Sequence, residues 1–187
     1  MEDNFIFQDY LTDLSLCDSL IDYHTKGKQN QGEVAGASGG VVRKEIKDST
    51  DVTLQTQSHL YDKYAGELKS IADKFIVKYP RSVYTSSWGL VESIQIQKYN
   101  PNQGYHEYHC ERTSGRSPFN TRHLVFMTYL NDVTDKGQTE FMYQKVAIEP
   151  KKGLTLIWPT DWTHTHRGIA SPSQTKYIIT GWLSFID

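Results

Sequence analysis

The second half of the chain alternates short apolar segments with turn-forming residues, and this pattern restricts the possible folds more than any other feature of the sequence. The segments are rich in β-branched and aromatic residues, and Gly, Pro, Asn or Asp lies at their ends. Five of them are recognisable, at 93–99, 123–130, 145–150, 154–159 and 176–185. Because no helical segment separates them, they predict an antiparallel sandwich or barrel, with a jelly roll (double-stranded β-helix) as the leading candidate.

Two amphipathic helices are predicted in the first half of the chain. Residues 12–26 place apolar side chains at helical spacing, and Thr12 or Ser15 is available as an N-cap. Residues 58–79 have the same periodicity and stop before Pro80, which cannot continue a helix. We expect these helices to cover the outer face of one sheet, so the predicted fold class is mainly β with supporting helices.

The chain length predicts one domain, because 187 residues are enough for one core and too few for two. Residues 1–90 would supply helical support and outer strands, and residues 91–187 would form the jelly-roll core. The segment 27–40 is rich in Gly, Gln and Asn and is predicted to be a mobile loop.

Charge, hydropathy and cysteine content exclude several classes of protein. The net charge is −2, so the chain has no basic excess that would attract nucleic acid. No apolar run approaches the ~18 residues of a membrane-spanning helix. The first residues, MEDNFIFQDY, lack the basic and apolar regions of a secretory signal. With Cys17 and Cys110 as its two cysteines, the chain is expected to be a cytoplasmic protein with free thiols and no membrane partner.

The heptapeptide YHEYHCE at 105–111 holds two histidines and two glutamates. In a strand, residues i and i+2 point to the same side, so His109 and Glu111 would present an imidazole and a carboxylate together. Cys110 would face the other way, as a small core residue. His106 competes with His109, but the adjacent glutamate would point to the opposite side of the strand.

A third metal ligand can come from the segment WTHTHRG at 162–168, where His164 and His166 also stand at i and i+2. Two histidines and one carboxylate cover one face of an octahedral ion and leave the opposite positions open. This facial arrangement suits Fe(II) that must also bind a cosubstrate and oxygen, whereas a closed site would be structural. These residues alone leave both histidines as candidates.

The segments around the candidate ligands carry a longer pattern. A tyrosine lies ten residues before the first histidine. After that histidine the chain has, in order, an arginine, a YLN strand, a G-x-T-x-F turn, a second histidine, a lysine ten residues beyond it and a tryptophan. In this pattern the chain resembles the catalytic domain of the iron- and 2-oxoglutarate-dependent dioxygenases, in the prolyl 4-hydroxylase-like branch. The matching positions are Tyr99, His109, Glu111, Arg122, Tyr129, Leu130, Asn131, Gly137, Thr139, Phe141, His166, Lys176 and Trp182.

The resemblance implies an Fe(II) site made by His109, Glu111 and His166. His166 is preferred to His164 because it stands ten residues before Lys176, which is the spacing typical of the family. The usual carboxylate ligand of the family is Asp. Glu111 is one methylene longer, but it remains an oxygen ligand with one negative charge, so iron binding is expected to survive.

The resemblance also implies that 2-oxoglutarate binds with its 2-oxo acid end on the iron and its distal carboxylate deeper in the barrel. Lys176 and Tyr129 would bind that carboxylate, since a lysine facing the interior is costly unless an anion meets it. The hydroxyl of Tyr99 would lie near the 2-oxo acid or the substrate, and Trp182 would pack beside the metal histidine. Ascorbate is expected to rescue oxidised iron.

The polar segment 112–121 joins the first ligand strand to the next and contains Gly and Pro. Such a loop at the mouth of a barrel is a candidate substrate lid, with Arg112 and Arg116 as its candidate substrate contacts. The segment 30–40 is a second lid candidate.

The reaction implied by the resemblance is hydroxylation of a substrate carbon by O2, with release of succinate and CO2. Peptidyl proline is the first candidate substrate, so a peptide or protein partner is expected. The alternatives are the same reaction on a free amino acid, another side chain or a nucleobase. Other classes are a jelly roll that binds metal or a small acid without turnover, and a cupin-like isomerase or hydrolase. Lys176 discriminates, because these classes need no deep cation ten residues past the second histidine.

Overall fold

The computed structural model describes residues 3–36, 39–84 and 86–186. Two α-helices, two short 3-10 turns and fourteen strands lie within these residues. The helices are α1 (Ser15–Lys26) and α2 (His59–Lys78). In chain order, the strands are β1 (Phe7–Tyr10), β2 (Asn30–Gln31), β3 (Val34–Gly36), β4 (Gly39–Val41), β5 (Thr50–Leu54), β6 (Trp88–Leu90), β7 (Ile94–Tyr99), β8 (Tyr105–His109), β9 (Arg122–Tyr129), β10 (Thr139–Phe141), β11 (Val146–Ile148), β12 (Leu154–Pro159), β13 (His166–Gly168) and β14 (Lys176–Phe185).

Most strands belong to two sheets that face each other. The major sheet has the order β1-β12-β9-β14-β7-β5-β2, with β6 also paired to β14, and the minor sheet has the order β11-β10-β13-β8. The strand pairs are antiparallel, and neighbours in each sheet are mostly distant in the chain, as in a jelly roll. The mainly β, jelly-roll fold predicted from the sequence is therefore confirmed.

Alternation of side chains along the major sheet produces two apolar layers. In β9, Leu124 and Phe126 belong to the layer under the helices, whereas Val125, Met127 and Tyr129 belong to the layer between the sheets. The outer layer buries one face each of α1 and α2. The inner layer surrounds the cavity in which the candidate site lies.

Both helices cover the outer face of the major sheet, as predicted. α2 begins after Ser58, whose hydroxyl accepts a backbone N–H of the first turn, and ends before the proline that stops it. The N-cap position of α1 is Leu14, not Thr12 or Ser15, and the carboxylate of Asp13 accepts from the backbone N–H of Ser15. No helix in the described residues is long and apolar enough to cross a membrane.

The five predicted strands are present as β7, β9, β11, β12 and β14. The other strands are two to five residues long, too short for a period-two pattern to be visible in the sequence. The segment 27–40, predicted as a loop, contains β2, β3 and the start of β4, and its residues 37 and 38 lie outside the described part of the chain. Strands β2, β5 and β6 extend the major sheet from residues 1–90, and the assignment of one domain stays a prediction.

Candidate functional site

A cavity of 1810 Å³ lies between the two sheets. Its floor is the inner face of the major sheet, and its roof carries residues of β8, β10 and β13 from the minor sheet. The segment 113–119 and the ribbon formed by β3 and β4 line its mouth. Both lid candidates from the sequence therefore border this cavity.

Three candidate metal ligands meet at one point of the cavity. Nε2 of His109 lies 3.3 Å from Oε1 of Glu111, and Nε2 of His166 lies 3.6 Å from the same oxygen. One ligand atom from each residue lies within 4.8 Å of the other two. The antiparallel pairing of β13 with β8 causes this convergence, because it sets His166 directly opposite His109.

The expectation that His109 and Glu111 share a strand needs a correction. Strand β8 ends at His109, and Glu111 lies two residues beyond it. The chain leaves the minor sheet there because the backbone N–H groups of Glu111 and Arg112 donate to the carbonyl oxygen of Thr160, at 3.0 and 3.1 Å. Cys110, expected in the core, is only half-buried and lines the cavity.

Main-chain hydrogen bonds orient both histidines. Nδ1 of His109 lies 3.1 Å from the carbonyl oxygen of Glu107, and Nδ1 of His166 lies 2.9 Å from that of His164. A proton on each Nδ1 satisfies these carbonyls and leaves Nε2 as the free acceptor. The two nitrogens that face Glu111 are therefore the ones prepared to bind a metal.

His164 is directed away from the cluster. Its Nε2 lies 3.1 Å from the carbonyl oxygen of Asn4, and its Nδ1 lies 3.1 Å from the hydroxyl of Thr163. It sits in a 3-10 turn instead of a strand, so the i, i+2 relation to His166 does not place the two side chains on one face. The structure brings His166, and not His164, to Glu111.

The second oxygen of Glu111 is held by the floor of the cavity. Nε1 of Trp182 donates to Oε2 of Glu111 at 3.0 Å, and a guanidinium nitrogen of Arg122 lies 3.8 Å from the same oxygen. The Arg122 guanidinium lies 3.4 Å from the centroid of the Trp182 ring and forms a two-point ion pair with Glu92. Trp182 thus lies beside the carboxylate rather than beside a metal histidine, and it leaves Oε1 free for an ion.

The ionisation states of the cluster suit metal binding. Burial by itself would raise the pKa of Glu111, but the neighbouring His109, His166 and Arg122 stabilise its charged form and lower this pKa to about 2. Burial lowers the pKa of His166 to about 3. The carboxylate is therefore charged and the His166 imidazole neutral near neutral pH, which are the forms that bind metal ions.

Lys176 is a buried cation with no carboxylate partner in the described residues. Its side chain is 4% exposed, and Nζ donates to the carbonyl oxygens of Gly137 (2.9 Å) and Ile169 (3.2 Å). Gly137 adopts a positive φ of 84°, where a Cβ would also contact Val133 at 2.8 Å, so glycine is needed to present this carbonyl. Burial lowers the pKa of Lys176 to about 8. A buried ammonium bonded only to carbonyls is prepared for an anionic ligand.

Two tyrosines predicted to contact the cosubstrate differ in position. Tyr99 lines the cavity, and Nζ of Lys176 lies 5.2 Å from the centroid of its ring. Tyr129 is fully buried behind the lining, where its hydroxyl donates to the carbonyl oxygen of Ile148 (3.1 Å) and is 2.6 Å from Oγ1 of Thr139. Thr139, and not Tyr129, reaches the cavity surface.

The two lid arginines also differ. Arg116 lies at the mouth of the cavity. Arg112 instead donates from Nε to the carbonyl oxygen of Arg122 at 2.9 Å, outside the cavity lining. Arg112 therefore anchors one end of the loop, and the ring of Phe119, 4.7 Å from the Arg122 guanidinium, anchors the other.

Several polar residues of the cavity have no role in the sequence interpretation. Glu92 is one, because its partner Arg122 is thirty residues away. Lys47 and Asp51 are others; they form an ion pair of 2.7 Å inside the cavity wall. The sequence does contain a signal for Gln97, because polar and apolar residues alternate in SIQIQKY and so place Gln97 on the same face of the strand as Tyr99.

The donor set and the buried lysine fit the two groups implied by the sequence resemblance. Two imidazole nitrogens and one carboxylate oxygen on one side of a cavity are the ligands of an open Fe(II) site. His109, Glu111, His166 and Lys176 all line the same cavity, so an anion bound at Lys176 shares the space next to the metal cluster.

Comparison with known proteins agrees with this chemistry. A sequence profile of the 2OG-Fe(II) oxygenase superfamily matches residues 94–184, which contain all three candidate ligands and Lys176. No curated protein matches the sequence.

Similar solved structures include three prolyl hydroxylases. One is a viral collagen prolyl hydroxylase from Paramecium bursaria Chlorella virus-1 in its 2OG complex, with a TM-score of 0.70 and 18% identity over 97% of each chain. Another is a Pseudomonas putida prolyl-4-hydroxylase, with a TM-score of 0.72 and 18% identity over 96% of this chain and 92% of that one. A third is a Trichoplax adhaerens prolyl hydroxylase in complex with a peptide fragment of the hypoxia inducible factor oxygen degradation domain, with a TM-score of 0.77 and 16% identity over 97% of this chain and 84% of that one.

At this level of identity the solved structures establish a common fold, and the sequence profile supplies the family. The profile covers the segment in which the histidines and the glutamate converge, within a jelly roll that these enzymes share. Residues 94–184 match the 2OG-Fe(II) oxygenase superfamily, and the protein is an Fe(II)- and 2-oxoglutarate-dependent dioxygenase with the fold of the prolyl hydroxylases.

Proposed function

We propose that the enzyme hydroxylates a proline residue in a peptide or protein and releases succinate and CO2. The observation that carries this proposal is the single cavity that holds both the His–Glu–His cluster and the unpaired Lys176. The prolyl hydroxylases of the same fold support the choice of proline, and the Trichoplax adhaerens enzyme with its bound peptide supports a peptide partner. Ascorbate would keep the metal reduced.

His109, Glu111 and His166 would hold Fe(II) through the three atoms that converge. The ferrous ion, when bound, supplies the activation of O2 that couples decarboxylation of 2-oxoglutarate to hydroxylation of the substrate. The protein's part is orientation. The carbonyls bonded to both Nδ1 atoms fix the imidazole rings, and Trp182 fixes the carboxylate so that one oxygen faces the ion.

Lys176 would bind the distal carboxylate of 2-oxoglutarate. The ammonium is already desolvated and held by two carbonyls, so the anion replaces no protein partner when it binds. Thr139 lines the cavity with a hydroxyl that Tyr129 supports from behind, and it is the nearer candidate for a second bond to that carboxylate. Tyr99 closes the side of the site with its ring under the lysine.

The segment 112–121 and the β3–β4 ribbon would cover the bound peptide and limit the access of water. Both border the mouth of the cavity, and Arg116 on the loop is placed to meet the peptide backbone. The sheets supply the floor, and loops and short ribbons at the mouth of a cavity are the segments that commonly cover a bound substrate.

The test is incubation of the purified enzyme with Fe(II), 2-oxoglutarate, ascorbate and a library of proline-containing peptides. Mass spectrometry should find one added oxygen on proline, with matching formation of succinate. His166→Ala should abolish both products and metal binding, whereas His164→Ala, a matched loss of one imidazole, should retain them. Hydroxylation of another residue would reject proline but keep the dioxygenase. Retained activity in His166→Ala would reject the ligand assignment.

A further inference from the structure

We propose that Thr53, Gln95 and Gln97 form a substrate subsite for an uncharged amide group, the chemistry of a peptide bond next to the target residue. The proposal rests on the proposed peptide hydroxylation and adds the part of the cavity that selects the substrate. The subsite, called the β5–β7 wall below, consists of the inward side chains of β5 and β7: Asp51, Thr53, Gln95 and Gln97.

The β5–β7 wall is polar where the inward faces of β9 and β12 are mostly apolar. Antiparallel register sets Gln97 beside Asp51 and Gln95 beside Thr53, and all four side chains line the cavity. The inward positions of β9 and β12 are instead mostly apolar: Val125, Met127, Tyr129, Leu154, Leu156 and Trp158. Packing alone would favour apolar residues at every inward position of a small barrel, so the polar wall requires another explanation.

Gln97 presents an amide donor to the cavity. The residue is 8% exposed, and its Oε1 accepts a hydrogen bond of 2.7 Å from the hydroxyl of Tyr99. Its amide nitrogen, Nε2, has no acceptor among the described residues, although the side chain lines the cavity. A donor that faces the cavity without a protein acceptor is free to bond to a ligand, and its bond to one carbonyl oxygen contributes about 1 kcal/mol. The geometry therefore calls for an acceptor, such as a carbonyl oxygen, on the ligand.

Gln95 and Thr53 add a donor and an acceptor to the wall. The Thr53 hydroxyl donates to Oε1 of Gln95 at 3.2 Å and accepts from Nε2 of Gln95 at 3.0 Å. This pairing uses one amide hydrogen and one lone pair of Gln95. A second amide hydrogen and a second lone pair remain, and a ligand amide, with one N–H and one C=O, complements them.

The wall carries no unbalanced charge. Both oxygens of Asp51 are occupied, one by Nζ of Lys47 at 2.7 Å and the other by the hydroxyl of Ser49 at 2.7 Å. A charged ammonium or carboxylate of a ligand would find no free counter-charge there and would still lose its hydration. An uncharged amide loses less hydration free energy, so the wall selects peptide bonds over the charged ends of a free amino acid.

The part of the wall on β5 lies away from Lys176, which supports assigning the wall to the substrate. β5 is the second strand from β14, which carries Lys176, and neighbouring strands are ~4.8 Å apart, so the outer part of the wall stands roughly 10 Å to one side. The cavity volume of 1810 Å³ also exceeds the ~300–1,000 Å³ typical of a site for one small ligand. The cavity is therefore wide enough for a second molecule next to the cosubstrate.

The experiment is calorimetric titration of the Mn(II)-loaded enzyme, which binds without turnover, with 2-oxoglutarate and then with acetyl-Ala-Pro-Ala-amide or free proline. The wild type should bind the uncharged peptide more tightly than free proline. Gln97→Met, which keeps the length of the side chain but removes its amide, should weaken peptide binding about tenfold, and Gln95→Met should weaken it several-fold. Gln55→Met, the same change at the exposed residue that follows β5, is the matched control and should leave the affinity unchanged.

The affinity for 2-oxoglutarate reports folding and separates the two proposals. Each variant should bind 2-oxoglutarate within twofold of the wild type. Unchanged peptide affinity in Gln97→Met, equal affinity of the wild type for free proline, or no peptide binding by the wild type overturns the amide subsite while 2-oxoglutarate still binds. A weakened affinity for 2-oxoglutarate in Gln97→Met reassigns the wall to the cosubstrate and also overturns it. Failure of the wild type to bind 2-oxoglutarate overturns the proposed function itself.

Discussion

Two lysines are buried in the cavity, and they differ in what balances their charge. Lys47 and Lys176 are each 4% exposed and both line the cavity. Nζ of Lys47 lies 2.7 Å from a carboxylate oxygen of Asp51, whereas the partners of Nζ of Lys176 among the described residues are two main-chain carbonyls. The first lysine is satisfied by the protein and belongs to its architecture. The charge of Lys176 is met by carbonyl dipoles, and an anionic ligand can supply the counter-charge that the described residues lack.

The largest expected effect comes from the paired lysine. Lys47→Met leaves the carboxylate of Asp51 buried with one hydroxyl partner, so the free energy of unfolding should fall by about 3–5 kcal/mol. Urea unfolding monitored by tryptophan fluorescence measures this change. Combining Lys47→Met with Asp51→Leu should recover most of the loss, because the orphaned charge is then removed. A stable single variant would mean that the pair is solvated, contrary to its burial.

The unpaired lysine should show the reverse behaviour. Lys176→Met should weaken 2-oxoglutarate binding by about 100-fold or more, because the distal carboxylate loses its buried counter-charge. The free energy of unfolding of the ligand-free protein should not fall, since no partner charge is orphaned. Calorimetry with Mn(II) and urea unfolding give the two values. Equal loss of stability in Lys176→Met and Lys47→Met would erase the contrast between the lysines.

A substitution beside Glu111, at the metal end of the cavity, provides the comparison with the substitutions of the lysines. Trp182→Phe keeps the aromatic ring under Arg122 but removes the hydrogen bond to Oε2 of Glu111, so metal affinity should fall about 10- to 100-fold. Titration with Mn(II), followed by its electron paramagnetic resonance, measures this affinity. Trp88→Phe removes a similar bond, to the carbonyl of Ser82, and should leave metal affinity unchanged. Equal losses in both variants would indicate a general effect on packing.

The smallest expected effects are pH dependences, of the stability of the ligand-free protein and of cosubstrate binding, and both arise from the ionisation of Lys176. The pKa of Lys176, about 8, lies below its ordinary value of 10.5 because burial disfavours the charged form. Below pH 8 the lysine is charged in both the folded and the unfolded chain, and the fold carries the full cost of burying it. Between pH 8 and 10.5 the folded lysine has lost its proton while the unfolded one keeps it, so stability of the ligand-free protein should rise with pH across this window.

Binding of 2-oxoglutarate should follow the opposite trend, since it needs the ammonium. The association constant should fall about tenfold per pH unit above pH 8 in calorimetric titrations. Lys176→Arg keeps a charged side chain across the same range and should flatten the profile, whatever its absolute affinity. A flat profile in the wild type would mean that the lysine stays charged when buried.

The sequence predicts the position of Lys176 better than that of Lys47, because Lys176 belongs to a regular pattern along the chain. Lys176 opens a long strand whose period-two pattern is visible, and it stands at a fixed spacing from His166. Lys47 lies in the polar segment KEIKDSTD, which has no such pattern. Its burial depends on a single bridge to Tyr105, a contact between distant parts of the chain that no local pattern encodes.

The same distinction separates the predicted from the unpredicted parts of the fold. Long strands such as β9 and β14 and both helices bury a regular stripe, so the sequence shows them. Strands of two or three residues exist only because a partner strand holds them, as β13 is held by β8 and β10. The exact course of the chain at Glu111 depends likewise on the carbonyl of Thr160, and the support of Glu111 depends on Trp182, so neither could be read from spacing.

The bond between His164 and the carbonyl of Asn4 bears on how the enzyme assembles during synthesis. β1 pairs along β12, with Phe7 opposite Ile157, so β1 has no partner strand until residue 157 has been synthesised. Until then its apolar side chains have no place in a core, and a nascent chain carries them exposed. We therefore expect the iron site to form only after β12 and β13 have been synthesised, when β1 can pair with β12 and His166 can lie opposite His109.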